Sequence, residues 1–219
     1  MKKLFKAIRK NNFEEVKQLI EKNPEIVNVP FEGTPIKDDG QSPLQVALKT
    51  GKLDIADYLI EHDADVNFID TNSVNKWKSP VIHDAIRCAI MNSRWNVYYK
   101  YNNETKVVST KKNADKSYSI LEKIISKGAD INVKDSFQNT CLDIFAINSN
   151  QILPNYNAIK KTISNDRIIT DEIKEDLSRI LKLLIDSGCD VNVVNHNTNK
   201  SFKEEFYNGI LCKCITLDI

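Results

Sequence analysis

One recurring phrase limits what this chain can fold into. Ile60-Glu-His-Asp-Ala-Asp-Val-Asn67 returns as Ile125-Ser-Lys-Gly-Ala-Asp-Ile-Asn132 and again as Ile185-Asp-Ser-Gly-Cys-Asp-Val-Asn192. Each copy follows an apolar helical stretch: Leu59-Ile60, then Ile120-Leu121-Ile124-Ile125, then Ile180-Leu181-Leu183-Leu184. Gly128 and Gly188 fall where a helix ends in a left-handed residue, which glycine adopts without steric cost. Asp63 holds that place in the first copy, and Asp tolerates the conformation better than most residues. Upstream of the first copy the whole unit is legible. Ser42 caps a helix and Pro43 takes the first helical position, where a missing N–H costs nothing. Leu44, Ala47 and Leu48 mark one face, and Thr50-Gly51-Lys52 breaks the helix. A second helix presents Ile55, Tyr58 and Leu59 inward, ends near His62-Asp63, and leads to an extended segment at Val66-Asn67. Such a unit cannot bury its apolar face alone, so neighbours must stack on it.

Ser42-Pro43-Leu44, Gly51, Leu59-Ile60 and the three Ala/Cys-Asp-Val/Ile-Asn endings resemble ankyrin repeats. The resemblance covers three clear repeats, an N-terminal capping repeat and a degenerate C-terminal one. It implies an all-α repeat fold: an ankyrin-type α-solenoid of helix pairs with β-turn or hairpin connections. The expected repeats are about 1–29, 39–70, 79–135 with an insertion at 92–115, and 136–195 with an insertion at 147–170. A C-terminal cap at 196–219 completes a single domain, since each repeat touches only its neighbours.

Taken in order, Leu4–Ile8 and Phe13–Ile20 form two amphipathic helices around Lys10-Asn11-Asn12. Asn11 supplies the left-handed residue, and Asn23-Pro24 ends the second helix. The outer face, with Lys2, Lys3, Lys6 and Glu14, keeps the open end soluble. Asn67 to Asn132 and Asn132 to Asn192 are each nearly two ~33-residue periods, which insertions explain better than hidden repeats. Ser79-Pro80-Val-Ile-His-Asp-Ala-Ile86 opens a first helix one residue out of the usual frame, and Ser117–Ile124 is a second helix. Trp95–Tyr101 and Lys106–Thr110 are rich in β-formers and flank Asn102–Thr105, which reads as a hairpin. The alternative is a longer first helix carrying Trp95 and Tyr99. Thr140 and Cys141 open the fourth repeat, Asn155 to Ile163 reads as a short helix, and Thr170 caps a helix through Asp186. Phe202 to Tyr207 begins a fifth first helix. Gly209 to Leu217 fits a short helix or a strand.

Composition narrows the chemistry. Hydrophobic residues make up 41% of the chain, enough for a core, and the net charge of +1 selects neither nucleic acid nor membrane. No run of ~18 apolar residues is present, and the basic start lacks a signal-peptide core. Cys88, Cys141 and Cys189 occupy small-residue slots and read as packed thiols. Cys212-Lys-Cys214 lacks the second pair a zinc site wants. A reducing, cytoplasmic setting fits, in the chain's own cell or after delivery into a host. No catalytic constellation, cofactor motif or metal set is apparent. His83, Gln45 and Asp143 share one slot; the resemblance implies that a histidine there hydrogen-bonds between neighbouring units.

The resemblance also implies that turn tips and first helices line a concave binding face. A partner protein is the expected ligand, and the chain is read as a non-enzyme: an inhibitor or immunity protein, or an effector scaffold. Candidate contacts at the tips are Phe31, Phe68, Trp77, Lys134, Phe137 and His196, with Lys37 beside the first. Trp95, Tyr99 and Tyr101 in the first insertion are further candidates, or else cover the layer between helices. One alternative is an enzyme or metal protein with polar residues converging around Asp143, Asp166 and Cys212–Cys214. Another is nucleic-acid binding through Lys100, Lys106, Lys111 and Lys112 with the tyrosines, a patch too small in a near-neutral chain to be expected.

Overall fold

The computed structural model describes residues 2–70, 77–99, 101, 103–215 and 217. Its helices come in packed pairs: α1 (Lys2–Arg9) with α2 (Phe13–Lys22), and α3 (Pro43–Lys49) with α4 (Leu53–Glu61). Then come α5 (Val81–Met91) with α6 (Lys111–Ser126), and α7 (Cys141–Ile152) with α8 (Asp171–Asp186). Two short helices, α9 (Phe202–Asn208) and α10 (Leu211–Cys214), follow. First helices stack on first helices, α1 on α3, α3 on α5, α5 on α7 and α7 on α9. Second helices do the same from α2 through α8. One apolar cluster runs through the stack from Leu4 to Ile215. Leu59, Ile124 and Leu184 are fully buried in it. Ile60 is buried as well, while Ile125 and Ile185 pack against the cluster partly exposed.

Caps explain where the helices begin. Ser42, Thr140 and Ser201 each accept the amide three residues on, while Gln45, Asp143 and Glu204 return a bond to the cap amide. Thr110 and Thr170 cap α6 and α8 with one such bond. The third first helix differs. Pro80, not Ser79, occupies its cap position, so there is neither a hydroxyl to accept nor an amide to donate.

The recurring Asp-x-Asn ending has a double role. Asp65, Asp130 and Asp190 each accept the amide of the Asn two residues on, at 2.8, 2.9 and 2.8 Å. This closes an Asx turn. Val66 and Asn67 therefore sit in a turn and not in the extended segment that the sequence suggests. The Asn side chains then reach across to the next unit. Asn28 donates to the Asp63 carbonyl at 2.9 Å and accepts the Asp65 amide at 2.7 Å. Asn67 donates to the Gly128 carbonyl at 3.0 Å and accepts the Asp130 amide at 2.8 Å. Both acceptor carbonyls belong to left-handed residues, Asp63 at φ 61° and Gly128 at φ 88°.

Between α5 and α6, strand β1 (Asn96–Tyr99) pairs antiparallel with β2 (Glu104–Val107), Asn96 opposite Val107; Asn102 in the connecting turn lies outside the described residues. Between α7 and α8 the short helix expected over 155–163 is absent. Instead β3 (Tyr156–Asn157) pairs with β4 (Thr162–Ile163). Asn157 draws the amides of Ile159 and Lys160 onto its own side chain at 3.1 and 2.9 Å, and Lys161 turns left-handed. Helix α7 also runs on to Ile152, so the chain leaves the helix pair at Leu153, later than residue 147.

The two connecting segments meet. Asn96 donates to the Ile168 carbonyl at 2.9 Å and accepts its amide at 3.0 Å. Just before β1, Arg94 binds buried Asp176 of α8 through its own amide and through Nε and Nη2, at 2.8 to 3.0 Å. Along the second helices, Lys116 and Lys123 of α6 reach Asp57 of α4 at 2.7 and 2.5 Å.

Asn67→Ala removes two bonds between units, whereas among the described residues the Asn192 side chain bonds to Asp190 of its own turn alone. Urea titration is expected to show a loss of about 1–2 kcal/mol for Asn67→Ala and less than about 0.5 for Asn192→Ala. Equal losses would contradict the role assigned to Asn67.

Candidate functional site

The chain between one second helix and the next first helix forms a tip, and the tips around 77–79, 133–140 and 193–200 are bonded side to side. Lys78 donates its amide to the Ser136 hydroxyl at 2.9 Å, and the Ser136 amide returns to the Lys78 carbonyl at 3.2 Å. Asn197 of the following tip donates to the Phe137 carbonyl at 2.7 Å. Within the 133–140 tip, buried Asp135 accepts the amides of Phe137 and Asn139 and the Asn139 side chain, all at 2.8 to 2.9 Å. It also accepts the Trp77 ring N–H from the tip before, at 2.8 Å. Asn195 repeats the pattern with the amides of Asn197 and Thr198. The tips are thus held in shape by their own buried polar groups before any ligand arrives.

The candidate contact residues fall into three groups. Trp77 and Phe137 hold exposed rings on adjoining tips, 41% and 51% accessible, with Lys134 and His196 exposed beside them. Phe68 is half-buried against the core, and the stretch 71–76 of its tip lies outside the described residues. Phe31 is a correction. Its ring is buried edge-on against Phe5 at 5.0 Å, because the loop closes on itself through Phe31–Gln41 and Gly40–Phe31 backbone bonds. It holds no exposed ring at the surface and borders open space only in the lining of a cavity beside α1. The same loop exposes Ile36 instead, and Val193 and Val194 are exposed apolar residues of the last tip.

Trp95, Tyr99 and Tyr101 form a separate group. They follow the far end of α5, an 11-residue helix and so about 16 Å from the tips. Trp95 is tucked against the core, donates to the Met91 carbonyl at 3.3 Å and lies under the Arg167 guanidinium. Tyr99 and Tyr101 are exposed.

The groups behind the alternative readings are each engaged locally. Asp143 closes the α7 cap; Asp166 binds Ser164 and Arg167; Cys212 donates to backbone carbonyls of Tyr207 and Gly209. Among the described residues no three His, Cys, Asp or Glu side chains are grouped to hold a metal, and no helix is long and apolar enough to cross a membrane. Of the lysines in the nucleic-acid reading, Lys111 pairs with Asp115 and Lys100 lies outside the described residues.

His83 is buried, and among the described residues the backbone group of the next unit that acts on its ring is the Val133 carbonyl, outside good hydrogen-bond geometry. Gln45, one unit earlier in the same slot, makes its bond between units in full, to the Ser79 carbonyl at 2.7 Å. Burial pushes the His83 imidazole down to about 4, against the pull of Asp135, the Val133 carbonyl and Asp143. Next to it, burial pushes the Asp84 carboxyl up to about 6, helped by the charge of Asp70. Lys49 stands 3.3 Å from Asp84 and 3.6 Å from Asp70, one cation for two buried acids. The two shifts act oppositely on stability. As pH falls from 7 to 5 the unfolded chain protonates His83 before the folded one does, so stability is lost. The folded chain protonates Asp84 before the unfolded one does, so stability is gained. Relative to wild type, His83→Gln should gain about 2 kcal/mol between pH 7 and 5, and Asp84→Asn should lose about 1. Denaturant midpoints at the two pH values check this; parallel pH profiles for all three proteins would refute it.

Comparison with known proteins agrees with this geometry. Residues 2–90, from α1 almost to the end of α5, match the family model for ankyrin repeats in three copies. Over 74 residues the chain is 35% identical to the ankyrin repeat and SAM domain-containing protein 6 of Rattus norvegicus. That stretch is 34% of this chain and 8% of the rat protein. Over residues 2–90, and through the helix pairs that lie there, the chain is similar to ankyrin repeats.

Proposed function

We propose that this chain is a non-catalytic module that binds another protein through its tips and the exposed sides of its first helices. Ankyrin repeats are generally protein–protein interaction modules, which supports the class of activity. The observation that carries the reading is the row of tips bonded side to side, with Trp77 and Phe137 turned outward. Aromatic side chains contribute most per residue at interfaces. A tip already fixed by Asp135 loses little entropy on binding. The helix pairs beyond residue 90 continue the same packing, and the whole chain is read as one repeat array. The segments after α5 and α7 interrupt it, and α9 and α10 close it. An inhibitor of an enzyme from the same cell and a scaffold for a captured protein both use such a face.

Phe137→Asp and Lys134→Glu place acid on one tip without touching the core. Co-purification followed by mass spectrometry should recover a partner with wild type and lose at least tenfold of it with the double variant, at unchanged thermal midpoint. Its identity separates inhibitor from scaffold. Equal recovery with both proteins would overturn the tip face as the binding site.

A further inference from the structure

The N-terminal end of the tip face carries a feature that ankyrin architecture does not require. A cavity of about 330 Å³ opens between α1 and the loop at 31–38. Phe5, Phe31 and Pro35 form its apolar lining, and Lys2, Lys6 and Lys10 stand around it. All three lysines are exposed, and no ion pair joins them to a carboxylate among the described residues. The one acid that lines the cavity, Asp38, is buried and has both oxygens taken by Arg9 Nε and Nη2. The cleft therefore presents uncompensated positive charge over an apolar lining.

The arrangement works against the helix that bears it. Lys2, Lys6 and Lys10 are four residues apart, so like charges face each other along one side. The first turn of α1 has no acid and carries Lys2 and Lys3 against the helix dipole. Solubility of an open end asks for charge, not for charge of one sign against the helix dipole, and such local rule-breaking is where functional sites are expected.

We infer that this cleft receives an acidic segment of a partner protein that carries one apolar anchor residue; this rests on the reading that the chain binds a protein. The anchor sits against Phe5 and Pro35 while Asp or Glu side chains on either side meet the lysines. A cavity of this size takes one large side chain, and ammonium groups on flexible stems suit carboxylates that vary in position. The contact is steered by charge and weakens with salt.

A fluorescein-labelled nine-residue peptide of Asp and Glu around a central Leu, followed by anisotropy, tests this on the full chain. Wild type should bind it, the triple variant Lys2→Gln, Lys6→Gln, Lys10→Gln at least tenfold more weakly, and a peptide with Ser at the centre at least threefold more weakly. All three substitutions lie on exposed side chains, and circular dichroism checks the fold. Equal affinity of variant and wild type, no binding at millimolar peptide, or tighter binding of polyphosphate or a single-stranded oligonucleotide of equal charge would each overturn the inference. The tip variants report separately, so loss of the partner with Phe137→Asp alongside no peptide binding would remove this inference and leave the protein-binding reading standing.

Discussion

The structure rests on an amide side chain at the end of one unit satisfying the backbone at the end of the next. Asp63, Gly128 and Gly188, all left-handed, follow α4, α6 and α8 and leave carbonyls and amides that helix geometry cannot pair. Asn28 and Asn67 meet one of each across the boundary. The bond is local in the stack but distant in sequence, so it fixes both spacing and orientation between layers. Apolar burial supplies most of the attraction between layers, yet it is indifferent to small slips. The paired amide bonds are not. The ordered row of tips, and every contact drawn across it, follows from that alignment.

Much of this was legible in the residues. The Asp-x-Asn endings, the caps at Ser42, Thr140 and Thr170, and the left-handed positions at Asn11, Asp63, Gly128 and Gly188 are short-range chemistry, and short-range chemistry can be read from a string. Misreadings arose where a side chain chose between two local partners. Asn157 bonds to its own neighbours and so makes a hairpin where a short helix was expected. Val66 and Asn67 are extended by propensity but are drawn into an Asx turn by Asp65. Phe31 sits in a loop whose composition is that of a surface tip, and only its closure over α1 reveals the ring as core. The Ser79-Pro80 frame was visible as an irregularity. Its consequence, a histidine without a capping partner, required knowing that Pro80 stands at the cap.

The candidate interface was legible in part for the same reason. Trp77, Lys134, Phe137 and His196 are on tips because the repeat places them there, and the repeat is written in the sequence. Their lateral bonding through Asp135 and Asn197 joins positions 58 and 60 residues apart, which no local pattern reveals. The lysines of α1 were readable as a solvated face; the apolar lining beneath them was not, since Phe31 and Pro35 come from another element.

The clasp between Asn96 and Ile168, together with Arg94 on Asp176, has a mechanical consequence. Arrays of stacked units open by parting at their weakest seam. The seam between the α5–α6 pair and the α7–α8 pair is sewn twice, once by helix packing and once by segments lying outside the helices. A force or a protease acting on this chain will find its first opening elsewhere, at a seam that lacks this second stitch. The two connecting segments thereby act as a rivet that joins the α5–α6 pair to the α7–α8 pair, so that these four helices part together.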